Sequence, residues 1–531
     1  MSEKRSFVKG AAILSLAGLL GKFIGMFYKI WLMHLITPEG YAFYQSPYAL
    51  YNFLLVISSA GLPTAISKMV SEQVAAGRRQ NARLVLQKAR RILFFTGLCA
   101  SVLMAALAQP VANAIGDPAA APGFVALAPA IFFVCLMSAY RGYFQGHQNM
   151  TPTAVSQVVE QLGKVTLGFT LALLLQPYGL VWGAVGAILG VTISEALALL
   201  YMFFCSLRQG RQAPEPVGEP TKMDHFYRRL FAIAIPVTIG ASMMPIVSMV
   251  DTALVINQLS SIGYAIEQAR SLYSVFTGAV TSIVNMPAVI TLSISMALVP
   301  AMTAGVASGD AAGLRRTAST GIKLAFLLGS AAAVGMGLLS EEIIHLLFQS
   351  SLSQFEQQVG GQLLAIMSVA VLFLSIVQST TGMLQGLGKP IYPVYTLLAG
   401  IVAKIVLNAL LIRIPSLNIL GAAISTLCCY AIAAVGNLFL VIRLTGVRIG
   451  FSRFVLRPAL AAGGMALVVV GVKLLEPLLG QTLTTIAAVG MGVISYCVLA
   501  PLLGCLTQQD LSFLPGGRRL QALLTKLHIR L

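Results

Sequence analysis

Long apolar runs separated by short polar connectors organise the whole chain. The runs cover residues 8–36, 43–69, 92–115, 124–144, 154–175 and 180–207. They continue over 230–256, 272–299, 322–339, 363–384, 391–411 and 419–442, and end with 454–475 and 483–506. Most reach about 20 residues or more, the length a helix needs to cross a ~30 Å hydrocarbon core, whereas a barrel strand needs only ~10 alternating residues. The pattern predicts an all-α integral membrane protein of about fourteen transmembrane helices. The first run is too long for a signal-peptide core and is expected to remain as helix 1.

Charge falls on alternate connectors. One set carries Lys4, Arg5 and Lys9, then Arg78, Arg79, Arg83, Lys88, Arg90 and Arg91, then Arg141, Arg208 and Arg211. Arg315, Arg316, Lys389, Arg443, Arg448 and the tail residues Arg518, Arg519, Lys526 and Arg530 continue it. The other set carries Glu39, Asp117, Glu267, Glu341, Glu342, Glu356 and Glu476, with only Arg270 and Arg413 as cations near them. By the positive-inside rule both termini are cytoplasmic, and an even helix count agrees.

A Pro-rich polar stretch at 209–222 divides the first twelve helices into six and six. A repeat at a shift of about 240 residues follows from it. Tyr143-Phe144-Gln145-Gly146 resembles Met383-Leu384-Gln385-Gly386, Lys164 falls on Lys404, and Leu62-Pro63 falls on Val299-Pro300. Two parallel six-helix repeats imply a pathway between two halves. The expected domains are an N-lobe at 1–208, a cytoplasmic connector at 209–229, a C-lobe at 230–443, and helices 13 and 14 with a basic tail at 444–531.

Composition fits this picture. Of 531 residues, 57% are hydrophobic and 10% charged, against about 25% charged in a soluble domain. The net charge of +18 is read as membrane topology, not as nucleic-acid binding. The seven cysteines form no metal-binding spacing. No phosphate loop, HExxH helix or GxSxG elbow is present, so a soluble enzyme is not expected. No cofactor or metal is expected either.

Seven ionisable residues interrupt the apolar runs: Lys22, Lys29, Glu160, Lys164, Glu195, Asp251 and Lys404. Facing lipid, they would together cost about 20 kcal/mol, so they face each other or a wet cavity. Glu160 and Lys164, spaced i,i+4, can neutralise each other on one helix face. Lys22 and Lys29 lie two turns apart on one face with no acid beside them in the helix interior. With Lys164, Lys404 and Arg270 they make the interior cationic, which suits an anionic phosphate or pyrophosphate headgroup. Pro63, Pro236, Pro245, Pro287 and Pro300 interrupt helices 2, 7 and 8 and are candidate hinges for alternating access.

Four stretches carry a family resemblance: LLGKFIGMFYKIWL at 19–32, GLPTAISKMVSE at 61–72, YRGYFQGHQNMTPTAVSQVVEQLGK at 140–164 and GMLQGLGKP at 382–390. The chain resembles the polysaccharide-exporter branch of the multidrug/oligosaccharidyl-lipid/polysaccharide (MOP) superfamily, in the stage V sporulation protein B group related to MurJ-type lipid II flippases. The resemblance implies a pair of six-helix lobes that flip an undecaprenyl-pyrophosphate-linked sugar from the inner to the outer leaflet. Lys22 falls on the family's first basic position in helix 1 and Arg270 on the one in helix 8, both implied to meet pyrophosphate. Lys29 falls where a basic–acidic pair is usual, and helix 2 lacks an interior arginine. Some such relatives are associated with a sodium site on helices 7, 11 and 12, where this chain offers Asp251, Lys404 and Asn408. Lys404 is expected to act as a tethered cation near Asp251.

The expected function is therefore a flippase for a lipid-linked oligosaccharide, first of all the lipid II peptidoglycan precursor. The alternatives are a capsule, O-antigen or teichoic unit as cargo, a cation-coupled multidrug exporter of the same fold, or a scaffold for glycan synthases. Coupling is expected to the membrane potential or to a monovalent cation, with Asp251, Lys404, Asn408, Glu160 and Glu195 as the coupling residues. The expected partners are an anionic lipid-linked saccharide, membrane lipids and glycan synthases, with no nucleic acid. The expected setting is a monomer in the bacterial inner membrane.

Overall fold

The computed structural model describes residues 2–59, 61–212, 225–448, 450 and 452–505. These are nearly all helical, with no strand among them. Among the described residues, thirteen helical spans are long and apolar enough to cross a membrane. The first, Phe23–Ala75, has 53 residues and would extend about 80 Å as one straight helix, enough for two passages. It contains a break. The chain is therefore the expected all-α, multi-pass membrane protein.

Two compact units form. Unit 1 comprises Met1–Ser260 and Tyr264–Ser274. It holds α1 (Ser2–Ser59), α2 (Gly61–Ala75), α3 (Arg79–Ala106), α4 (Ala108–Ile115), α5 (Ala121–Gly146), α6 (Thr151–Leu175), α7 (Leu180–Gln212), most of α8 (Phe226–Ser261) and α9 (Ile266–Ser274). Unit 2 comprises Ser261–Gly263 and Val275–Leu531. It holds α10 (Thr281–Ser308), α11 (Ala311–Leu338), α12 (Ser340–Phe348), α13 (Gln354–Gly386), α14 (Tyr392–Leu411), α15 (Leu420–Thr445), α16 (Arg457–Lys473), α17 (Glu476–Leu479) and α18 (Gln481–Leu502).

The division differs from the lobe boundary expected at 209–229. Phe226, Leu230 and Ala234 of α8 share a core with Ile66, Leu86, Met137 and Met202, so α8 packs with unit 1. The helix expected over 272–299 is split into α9, a π-helical turn at Val275–Val280 and α10, and the unit boundary runs between Ser274 and Val275. The connector at 213–224, the basic tail with Arg518, Arg519, Lys526 and Arg530, and position 506 at the end of the last predicted helix lie outside the described residues.

Local chemistry explains several boundaries. α1 breaks at Thr37, where φ is 63° and ψ is 165°, a conformation that costs a β-branched residue of order 1–3 kcal/mol. Pro38 excludes Thr37 from the helical region and sits at the first position of the next helical segment. Thr37 Oγ1 accepts from Gly40 N at 3.5 Å, an N-cap arrangement. The Leu35 carbonyl, beside the break, accepts from Gln176 Nε2 at 2.7 Å. α3 begins at Arg79 and not at residue 92. Ala82, Val85, Leu86 and Ala89 are buried at helical spacing, so the arginines around them lie on a helix and not in a loop. α13 starts at a Ser353–Glu356 capping box, nine residues before its apolar run.

Candidate functional site

Four charged residues of unit 1 meet in one network. α6 places Glu160 and Lys164 one turn apart, and Lys164 Nζ lies 2.6 Å from Glu160 Oε1. α7 brings Glu195, whose Oε1 is 3.1 Å from the same ammonium. Arg141 of α5 reaches Glu160 Oε2 at 3.1 Å and donates through Nε to Ser156 Oγ at 3.1 Å. Tyr51 of α1 donates its hydroxyl to Glu195 Oε1 at 3.0 Å. Two cations and two carboxylates cancel, which removes most of the penalty of placing four charges inside a membrane span.

Glycines allow this proximity. A Cβ on Gly190 of α7 would stand 2.2 Å from Gly168 Cα of α6, and one on Gly163 would stand 2.6 Å from Ser194 Cβ. The backbones can touch only without side chains there. The expected Glu160–Lys164 pair is present, and Glu195 and Arg141 complete it. Sequence spacing gives no sign that Arg141, which falls among the connector cations, turns inward.

Lys29 stands apart from that network. Its Nζ lies 5.9 Å from the centroid of the Tyr48 ring, within cation–π range. Tyr48 belongs to a ladder. Tyr41, Tyr44, Tyr48 and Tyr51 recur at intervals of three and four, and consecutive rings lie 5.6, 5.2 and 5.6 Å apart. The ladder runs from Lys29 towards Glu195 and was readable only as a tyrosine spacing. Among the described residues Lys29 makes no ion pair. The Lys22 side chain lies outside the described residues, although its backbone is helical.

Arg270 of α9 makes a second cluster. Its Nη2 and Nε meet Asp117 Oδ1 at 2.7 and 3.1 Å, and its Nη1 meets Glu39 Oε1 at 3.5 Å. The guanidinium also covers the Phe43 ring at 4.6 Å. Asp117 is fully buried, and burial pushes its carboxyl above the ordinary value, against the downward pull of Arg270. Nearby, Asn257 Nδ2 donates to the Ala114 carbonyl at 2.8 Å. These contacts fasten the end of α8 and the start of α9 to the α4–α5 loop.

Unit 2 uses its lysine differently. Lys404 of α14 is fully buried and donates to Thr426 Oγ1 at 2.5 Å. Asn408, one turn on, accepts from Ser425 Oγ at 2.5 Å. At the repeat shift, the position of Glu160 is taken by Gly400, and a Cβ there would stand 2.5 Å from the Cys429 carbonyl oxygen. Asp251 is buried in unit 1, while Lys404 belongs to unit 2. Of the five prolines, Pro245, Pro287 and Pro300 sit inside continuous helices, and Pro63 sits in the first turn of α2, where no helical hydrogen bond is lost. The Pro236 side chain lies outside the described residues.

The chain is a multi-pass helical membrane transporter of the MOP superfamily. The polysaccharide biosynthesis protein family model matches residues 7–306, more than half of the chain, and the chain belongs to that family. The MatE family model matches residues 276–410. Stage V sporulation protein B of Bacillus subtilis (strain 168) is 27% identical over 80% of this chain and 81% of that protein. The lipid II flippase MurJ of the same organism is 26% identical over 94% of this chain and 95% of that protein. Among solved structures, a lipid II flippase MurJ in an inward closed conformation has a TM-score of 0.70 at 13% identity, covering 92% of this chain and 98% of that one.

Proposed function

We propose that the chain moves an undecaprenyl-pyrophosphate-linked saccharide, first of all lipid II, from the inner to the outer leaflet of the bacterial cell membrane. The carrying observation is the similarity to the Bacillus subtilis lipid II flippase MurJ along 95% of that protein. In this reading Lys29 and Lys22, on one α1 face, meet the pyrophosphate, and Lys29 holds no carboxylate that would compete. Arg270 exchanges Asp117 for phosphate oxygens, which its planar fork also fits. Lys164 and Lys404 add to the positive interior.

The repeats at 1–208 and 230–443 rock about the proline-containing helices, using Pro63, Pro236, Pro245, Pro287 and Pro300. Glu160, Glu195, Asp251, Lys404 and Asn408 couple the motion to membrane potential or to a monovalent cation. The protein works as a monomer with both termini cytoplasmic and delivers cargo to glycan synthases.

The test is a flipping assay in proteoliposomes loaded with fluorescent lipid II. Wild-type protein should move the label, Lys29→Ala should abolish movement while remaining folded, and Lys29→Arg should retain part of it. The family description favours a second reading, a capsule, O-antigen or teichoic unit as cargo. Movement of such a lipid-linked unit but not lipid II would replace the first reading with the second.

A further inference from the structure

Away from the charged network, α3, α5 and α7 enclose a groove of about 630 Å³ on unit 1. That volume lies within the ~300–1,000 Å³ of small-molecule sites. Its lining changes character along α3. Gln87, Arg90 and Arg91 line one end, and Phe94 and Phe95 follow one turn later on the same face. Leu136 and Tyr140 of α5 and Leu199, Leu200 and Phe203 of α7 complete the lining.

The aromatic walls are set in place. Phe94 packs edge-to-face on Phe132 at 5.3 Å, and Tyr140 on Phe203 at 6.4 Å. Arg90 and Arg91 are both exposed, and among the described residues neither makes an ion pair, unlike Arg141, Arg229 and Arg270. Their depth matters as well. The α3 span runs Gln80–Ala106, and a hydrocarbon core takes about 20 helical residues. Counting back about twenty residues from Ala106 reaches residue 87, so both arginines lie about one turn inside the apolar passage, from which a long side chain snorkels to the phosphate layer.

We infer that this groove holds one anionic phospholipid, with its phosphate on Arg90 and Arg91 and an acyl chain along Phe94, Phe95 and Phe203. Two unpaired guanidiniums beside an aromatic trough match a ligand that is anionic at one end and hydrocarbon at the other. Another protein's helix would cover the trough but would leave the arginines without counter-charge. The occupant is distinct from any transported glycan, since none of the proposed cargo-binding residues lines the groove.

Native mass spectrometry of the full chain tests this. Detergent-exchanged protein is mixed with equal amounts of phosphatidylglycerol and phosphatidylcholine. Wild-type protein should retain phosphatidylglycerol selectively. Arg90→Gln/Arg91→Gln should bind it about 30-fold more weakly, the combined effect of two surface cations. The charge-matched control Arg228→Gln/Arg316→Gln, at two exposed arginines elsewhere, should bind as wild type. Phe94→Ala/Phe203→Ala should weaken long-chain phosphatidylglycerol more than the dihexanoyl form. Equal retention of both lipids, or unchanged binding by the arginine variant, would overturn the site. Displacement by glycerol phosphate at equal concentration would mark a headgroup-only ion site and overturn the lipid assignment.

Discussion

Arg270 and Asp117, separated by 153 residues of sequence, meet at 2.7 Å. The pair is buried, so removing the cation leaves two carboxylates, Asp117 and Glu39, facing each other's charge. Arg270→Met should destabilise the protein by on the order of 3–5 kcal/mol in an SDS-unfolding titration. Asp117 already sits above its ordinary carboxyl range, and without Arg270 it should rise further. A raised carboxyl binds its proton more tightly in the folded than in the unfolded state, so folding gains as pH falls through the raised value. The deficit of Arg270→Met should therefore shrink between pH 8 and pH 5, and Asp117→Asn in the same background should remove that pH dependence.

Lys164 bridges Glu160 and Glu195 at 2.6 and 3.1 Å. Lys164→Met leaves one partly buried arginine against two carboxylates, and should cost on the order of 3–5 kcal/mol. Lys164→Met/Glu195→Leu restores a neutral Arg141–Glu160 pair and should recover a large part of the loss. A double variant as unstable as the sum of its two single variants would show that the charges act independently.

Orientation can be read at two turns. Ala76 lies in the turn after α2, and Tyr178 lies in the turn before α7, where it is 76% exposed. The spans Gln80–Ala106, Pro118–Gly146 and Thr151–Tyr178 separate them, an odd number. In a background without the seven cysteines, a thiol reagent that does not cross membranes should leave Ala76→Cys unlabelled in intact cells and label Tyr178→Cys. Labelling at 76 and none at 178 would invert the topology.

What could be read from sequence was local. Apolar runs of helical length announce membrane spans one at a time, and Glu160 with Lys164 announces a pair because four residues make one turn. Tyr51 and Glu195 are 144 positions apart, and no spacing rule joins them. Arg90 and Arg91 resembled connector charge because arginines crowd that stretch, while Ala82, Val85 and Leu86, which precede them in the same stretch, are buried. Thr37-Pro38 did carry a signal, an N-cap followed by a first-turn proline, and the break in α1 falls there. The unit boundary at Ser274 depends on how α8 and α9 pack, which the repeat pattern does not encode.

The contact between α6 and α7 links packing to the charged network most directly. Gly168 and Gly190 touch backbone to backbone, and a methyl group on Gly190 would stand 2.2 Å from Gly168 Cα and 2.2 Å from Gly168 N. Neither neighbour is a flexible side chain that could swing away, so the helices must separate. Overpacking of this kind costs about 1–3 kcal/mol. Lys164 lies one turn from Gly168 on α6, and Glu195 lies five residues from Gly190 on α7. The same separation should lengthen the 3.1 Å Lys164–Glu195 contact while sparing Lys164–Glu160, which lies within α6. Gly190→Ala should thus unfold at lower SDS than wild type. In its background, Glu195→Leu should cost less than it does in wild type, because the bond it removes has already been stretched. A Glu195→Leu effect of equal size in both backgrounds would show that α6 and α7 accommodate the methyl without parting.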